Sequence, residues 1–401
     1  MNKRLNTTFA GRPMINPFVL ASAPPSATPA MLERAFEAGW GGAVVKTLIE
    51  EPVNNLCNRF GSSRAGRSVV GFQNVELASE VSVGEWLEGA RKLKARFPDR
   101  MLIGSIMADA KDYAGWCRLA LGCQEAGMDM VELNFSCPHG YSERGKGSAI
   151  GQDERAAAEI VRRIKADVRI SVPIAPKLTS AVADISFVGE ELAAVGADAF
   201  CAINTVPSFL GFDLSTLNPK LNVAGRSALG GYSGLGIKPI ALRCVHELVG
   251  SPGLPVMGCG GCMNGADAVE FLLLGAGMVQ LGTAVMFEGY GLVDQLEREM
   301  LRFMDRHGFE TVADFAGLGR QRITTYGGLD LQFKTKAKMD LLRCTRCGKC
   351  VTACRDGGYQ AISAEAPGAY PRIDATRCVG CSLCTHVCPF GAIEMEKQGA
   401  P

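Results

Sequence analysis

Eight of the chain's 16 cysteines lie beyond residue 340, and they are spaced as ligands. Cys344, Cys347, Cys350 and Cys354 follow the pattern C-x-x-C-x-x-C-x-x-x-C, and Cys378, Cys381, Cys384 and Cys388 repeat it, with Pro389 next in line. Three thiolates so placed wrap one loop around three irons of a cubane, while the fourth iron is reached by the distant cysteine of the other motif. The spacing predicts two 4Fe-4S clusters with crossed ligands. One takes Cys344, Cys347, Cys350 and Cys388; the other takes Cys378, Cys381, Cys384 and Cys354. Structural zinc is the competitor, but it asks for four ligands in paired C-x-x-C knuckles, which this doubled pattern does not offer. Arg355 stands where a proline is usual after Cys354, a departure that bears on loop geometry more than on ligation.

A second set of candidates closes short apolar runs in the first three quarters of the chain. They are Lys46-Thr47, the segment Asn134 to His139, Lys177 to Thr179, and Asn204-Thr205. A lysine ending an apolar strand is costly to bury without an anionic partner, and two of them suggest a shared anionic ligand. Gly258 to Cys262 contains Gly260 and Gly261, and with Gly282-Thr283 it suits a phosphate turn, a reading preferred to redox chemistry for its Cys259 and Cys262. Together these point to a phosphorylated planar cofactor. FMN fits, being anionic at its phosphate and at its reduced ring. Among the remaining cysteines, Cys117, Cys123 and Cys244 fall on helical patterns and read as core, and only Cys137 invites chemistry.

The elements that must carry these residues alternate. Eight β-rich runs, Met14–Ala21, Gly42–Thr47, Leu102–Met107, Met130–Ser136, Pro173–Thr179, Ala199–Thr205, Pro255–Gly260 and Met278–Ala284, are separated by amphipathic stretches such as Asp112–Ala126 and Asp153–Ala166. The pattern predicts an α/β fold, a TIM (β/α)8 barrel, whose site lies at the C-terminal strand ends. An open doubly wound sheet competes, but no GxGxxG opens a helix after an early strand. The expected domains are a barrel over 1–323 with the FMN and substrate site, a connector over 324–339, and a ferredoxin-type domain over 340–396. Balanced charge, 42 Lys+Arg against 41 Asp+Glu, argues against nucleic acid. With neither an apolar leader nor a spanning stretch, the expectation is a cytoplasmic protein without membrane contact.

Several stretches carry a resemblance. Asn16-Pro17-Phe18 with Ala21-Ser22-Ala23, Phe72-Gln73-Asn74-Val75-Glu76, Asn134-Phe135-Ser136-Cys137-Pro138-His139-Gly140, Lys177-Leu178-Thr179, Asn204-Thr205-Val206 and Gly231-Tyr232-Ser233-Gly234 resemble the dihydropyrimidine dehydrogenase family, in the form of its bacterial NAD-dependent catalytic subunit. The similarity covers nearly the whole chain, barrel and tail in the same order. It implies reversible reduction of the C5=C6 bond of uracil or thymine, with Asn74, Asn134, Asn204 and Thr205 holding the pyrimidine. An Asn amide presents donor and acceptor in one plane, as such a ring requires. It implies further that Lys46 and Lys177 line the flavin, and that Ala21, Ser22, Ser233, Gly234, Gly260, Gly261, Gly282 and Thr283 contact its ring or phosphate, with Glu76 behind them.

Cys137 matches the family's general acid: a neutral thiol protonates one ring carbon while reduced flavin serves the other. His139 relays that proton or caps the loop. Gly140, Gly145 and Gly147 with Glu143 and Arg144 read as a mobile lid. No nicotinamide site is evident, so the resemblance implies a partner subunit with FAD and its own clusters that oxidises NADH, in a heterotetramer. Dihydroorotate dehydrogenases, which share the FMN barrel and an Asn-x-Ser-Cys-Pro segment, are the alternative, and a non-catalytic electron carrier is the alternative of another class.

Overall fold

The computed structural model describes residues 2–398 except Pro52, Ser142 and Arg144. Two compact units divide the chain, one ending at Ile323 and the other beginning at Thr324. In the first unit eight parallel strands close a barrel: Phe18–Leu20, Gly42–Val44, Met101–Ile106, Met130–Asn134, Ile174–Leu178, Phe200–Ala202, Val256–Cys259 and Met278–Leu281. Each pairs with its chain neighbours, and the last returns to the first through Val279 opposite Phe18.

Alternation along each strand sorts the two cores. Val19, Val44, Ile103, Met130, Ala175, Cys201, Met257 and Met278 point inward and pack with one another. Phe18, Leu20, Ala43, Leu102, Val131, Leu133, Ile174 and Phe200 point outward to the helical layer. A hairpin of Thr7–Phe9 and Arg12–Met14 brings Phe9 and Met14 into the inner core. Met14, expected at the start of the first barrel strand, belongs instead to this hairpin because the chain bends over Ile15, Asn16 and Pro17, with Asn16 Oδ1 accepting from Phe18 N, before the barrel strand begins. The inward phase continues upward into polar residues. Two residues beyond Val44 comes Lys46, beyond Met130 comes Glu132 and then Asn134, beyond Ala175 comes Lys177, and beyond Met278 comes Gln280. The period that builds the core therefore also aims the chemistry at the mouth.

Several helices on the outside begin with side-chain caps. Asp112 accepts from Gly115 N before Tyr113–Glu125, Asp153 from Arg155 N and Ala156 N before Glu154–Ala166, and Asp184 from Ser186 N and Phe187 N before Ile185–Ala194. A helix outside the patterns singled out above, Val83–Arg96, starts at Ser82 and buries Trp86, Ala90 and Leu93.

One sheet escapes the alternating pattern altogether. Val206–Ser208, Gly230–Ser233, Ser68–Asn74 and Phe60–Ala65 form four antiparallel strands in that spatial order, with Gly231 opposite Asn74. It carries Asn74 and Ser233 to the site.

In the second unit Thr335–Met339, expected within the connector, is a strand paired with Ile393–Lys397, from Thr335 opposite Lys397 to Met339 opposite Ile393. The reason is packing: Ala337 and Met339 join Cys350, Ile362, Cys384 and Ile393 in that unit's small core. Two helices, Lys349–Gly357 and Leu383–Val387, and a short strand pair, Ile362–Ser363 with Arg372–Ile373, complete it.

Candidate active site and cluster cavities

The cysteine repeat is a repeat of backbone shape. In the first motif Arg346 and Gly348 have φ of 59° and 73°; at the same places in the second, Gly380 and Ser382 have 77° and 60°. These left-handed turns curl each loop so that its three sulfurs face one hollow. At Gly380 a Cβ would stand 2.3 Å from the Thr335 carbonyl oxygen, so only glycine serves there. Cys344, Cys347, Cys350 and Cys388 line one hollow, and Cys354, Cys378, Cys381 and Cys384 line another. The grouping is the crossed one. Cys350 and Cys354 share a helix and face different cavities, and Cys384, within the helix Leu383–Val387, and Cys388, just past its end, divide in the same way. Backbone N–H groups of Arg346, Ala361 and Ala392 donate to the sulfurs of Cys344, Cys354 and Cys388 at 3.4, 3.2 and 3.3 Å. Among the described residues no three His, Cys, Asp or Glu side chains converge on a point that would hold a single ion. Apolar walls such as Ile362 and Met395, or Phe390 and Ile393, leave room for a cluster.

At the barrel mouth a cleft of about 690 Å³, partly open to solvent, gathers Ser22, Lys46, Asn74, Asn134, Cys137, Asn204, Thr205, Ser233, Gly282 and Thr283. Ala21, Lys177, Gly234, Gly260 and Gly261 do not line it. Ala21 sits behind the rim, where a Cβ on Gly282 would come 3.7 Å from its own. Gly260 and Gly261 follow the seventh strand, with φ of 119° and 77°, and at Gly261 a Cβ would be 2.6 Å from the backbone N of Lys238 at the start of helix Lys238–Gly250. Gly234 has φ of 84° beside Thr283.

Both lysines have carboxylate partners within the protein, so their burial is offset by the chain itself. Lys46 Nζ lies 2.9 Å from Glu76 Oε2, and Arg59 approaches the other carboxylate oxygen at 3.4 Å. Lys177 Nζ donates to Gln280 Oε1 at 2.9 Å and stands 3.5 Å from Glu132 Oε1; Gln280 Nε2 donates to Glu132 Oε2 at 2.8 Å. All three are buried in one polar layer of the barrel interior. Burial works against the Lys177 ammonium, but Cys201, Glu132 and Cys259 around it hold it above its ordinary value. The sequence reading missed Glu132 and Gln280, although a charged residue inside Met130–Asn134 carries the same signal that singled out the lysines.

Thr47 is a hub. Its hydroxyl meets those of Ser22 at 3.2 Å and Ser105 at 3.0 Å, and accepts from Asn134 Nδ2 at 3.0 Å. Asn134 Oδ1 accepts from Ser136 N, Ser136 Oγ and Cys137 N at 3.2, 3.3 and 3.1 Å, so this residue folds the loop that presents Cys137. Asn204 Nδ2 donates to Ser136 Oγ at 3.0 Å, and Asn74 Nδ2 to the Gly231 carbonyl at 3.3 Å. Thr283 Oγ1 donates to Ser233 Oγ at 2.8 Å.

The Cys137 thiol points at the His139 carbonyl, 3.7 Å away. Burial pushes it above its ordinary value, against smaller opposing effects of the His139 backbone and of Lys46. His139 is pushed down by burial and donates from Nε2 to the Glu76 carbonyl at 2.8 Å, which leaves Nδ1 without a proton. Of the two roles expected for it, this bond is that of a cap tying the loop to Glu76. The following turn carries Gly140, Gly145 and Gly147 at φ of 65°, 73° and 57°, and Lys146 reaches Asp109 at 3.1 Å. Arg144 of that loop lies outside the described residues.

The chemistry of this lining suits FMN. Small hydroxyls at Ser22, Thr47, Ser233 and Thr283 with the exposed backbone of Gly282 offer hydrogen bonds to a phosphorylated, oxygen-rich group, and Met107, Phe72 and Met286 offer apolar wall to a flat ring.

Comparison with known proteins agrees in extent. The family described as dihydroorotate dehydrogenase matches residues 4–304, and a 4Fe-4S dicluster domain matches residues 337–395. The chain is 36% identical to the NAD-dependent dihydropyrimidine dehydrogenase subunit PreA of Escherichia coli K12, over 98% of this chain and 96% of that one. Identity to the chloroplastic NADP(+) dihydropyrimidine dehydrogenase of Arabidopsis thaliana is 38%, over 81% of this chain and 79% of that protein. The catalytic subunit of dihydroorotate dehydrogenase B (NAD(+)) from Pyrococcus abyssi is 35% identical, matched over 98% of its own length but 78% of this chain.

Proposed function

The chain belongs to the dihydroorotate dehydrogenase family, and from that premise we propose that it is the catalytic subunit of a dihydropyrimidine dehydrogenase, reducing the C5=C6 bond of uracil or thymine. The observation that carries the reading is a half-buried thiol, Cys137, in one cleft with Asn74, Asn134 and Asn204.

When bound, FMN supplies hydride exchange with one ring carbon, and the two 4Fe-4S clusters supply single electrons. The chain's own residues do the rest. Asn74, Asn134, Asn204 and Thr205 orient the pyrimidine by its alternating carbonyls and N–H groups. Cys137 delivers a proton to the second carbon from Sγ, and solvent restores it. Because burial favours the neutral thiol, the proton is in place at neutral pH. Asn134 and His139 fix the loop from either side, one through its amide oxygen and the other through Glu76. Ser22, Ser233, Gly282 and Thr283 on the lining, with Gly234, Gly260 and Gly261 outside it, would hold the ring and phosphate of FMN, and Lys177 in the buried polar layer would supply positive charge toward it. Electrons come from NADH through a partner flavoprotein subunit in a heterotetramer; the name of the E. coli relative as a subunit supports the existence of a partner.

The test is an anaerobic assay of the loaded chain with a chemically reduced electron donor and a panel of pyrimidines. Uracil or thymine should be converted to the 5,6-dihydro product. Failure of every pyrimidine to reoxidise the reduced protein would sink the reading.

A further inference from the structure

Dihydropyrimidine and dihydroorotate dehydrogenases act on the same ring, and their substrates differ by one carboxylate. Among the described residues lining the cleft, Lys46 and Glu76 are the charged pair, beside a neutral His139. Their side chains are 2.9 Å apart and nearly buried, with relative exposures of 10% and 7%. The second carboxylate oxygen of Glu76 faces Arg59 at 3.4 Å, and its backbone is fixed twice, N–H to Asn74 Oδ1 at 3.2 Å and carbonyl to His139 Nε2 at 2.8 Å. Glu76 is thus held between a ring-binding Asn and the loop of the proton donor.

Building on the reading of this cleft as a pyrimidine site, we propose that Glu76 is a specificity-determining residue that makes it accept uncharged pyrimidines and reject 6-carboxylated ones. The Lys46 ammonium is the cation on the lining that could receive a substrate carboxylate, and Glu76 already occupies it. A second carboxylate would have to displace Glu76 from a nearly buried ion pair, leaving one of the two anions poorly solvated and unpaired. An uncharged ring meets no such conflict. The repulsive element works by exclusion, while the Asn residues serve both kinds of ring alike.

The experiment titrates the FMN-loaded protein with uracil, orotate and orotamide, the uncharged amide of orotate, and reads the flavin absorbance. Uracil should bind, and orotamide should bind at least about tenfold more tightly than orotate. In Glu76→Gln the orotate-to-uracil affinity ratio should rise at least about tenfold, and Glu76→Asp should keep the wild-type ratio. Equal rejection of orotamide and orotate would mean that size excludes them, and an unchanged ratio in Glu76→Gln would mean that the carboxylate is not the discriminator; either overturns the proposal. The comparison of orotate with orotamide needs only wild-type protein, so it stands even if a variant fails to load FMN. If uracil itself leaves the flavin spectrum unmoved, the pyrimidine reading falls, and this inference with it.

Discussion

On the proposed reading Cys137 has to keep its proton until the substrate arrives, and desolvation of the thiol favours that. Replacing it with Ala should leave FMN and both clusters in place while slowing single-turnover oxidation of the reduced protein by uracil about 10²- to 10⁴-fold. The pH dependence has a definite sign. Since the thiol lies above its ordinary value of 9.0, pyrimidine reduction should be level from neutrality to beyond that value and fall as pH rises through the shifted pKa. Oxidation of dihydropyrimidine, which needs the thiolate, should instead rise over the same range, and pre-steady-state rates in both directions would check it. Beneath the cleft, Glu132→Gln should destabilise the protein by about 3–5 kcal/mol in urea unfolding, because Lys177 is left buried without its carboxylate. The double change with Lys177→Met should cost less than the single one. These residues differ in how far the sequence announces them. Lysines at strand ends are visible as breaks in an apolar run, but their partners are not, because Glu76 is 30 residues from Lys46 and Gln280 is 103 from Lys177.

The eight barrel strands are legible because each is a short apolar run whose period-two alternation serves two cores at once. The four-stranded sheet is not, for a physical reason: Phe60–Ala65 is half exposed, Ser68–Asn74 contains Gly71, and two strands have only three and four residues. No periodic signal survives in such segments, so Asn74 could be assigned only through resemblance. The loop after the fourth strand shows what an element contributes beyond its side chains. At Gly147, with φ of 57°, a Cβ would approach the Cys137 carbonyl oxygen to 2.7 Å, and Ser148 N donates to that same oxygen at 3.0 Å. Gly147→Ala should therefore push the loop off its seat, costing about 1–3 kcal/mol of strain and lowering kcat/KM for uracil with FMN content unchanged. Full kcat/KM in that variant would show that the loop does not need the close approach.

Across the whole molecule, the doubled cysteine pattern was the most readable feature of the sequence, since spacing alone says which loop holds which irons. The structure adds that one helix, Lys349–Gly357, reaches both cavities through Cys350 and Cys354. Cys354→Ser should disturb the cluster seated on Cys378, Cys381 and Cys384 and spare the other, as low-temperature electron paramagnetic resonance of the reduced protein can decide. Crossing has a further result for how the protein acquires iron. Whichever cluster forms first closes a long loop between the two motifs and leaves the remaining four sulfurs already gathered, so the second forms at a lower entropic cost. Under iron limitation the population should divide into fully loaded and empty molecules, with few half-loaded ones, which native mass spectrometry would count. A cell short of iron would then hold fewer working copies, each at full strength.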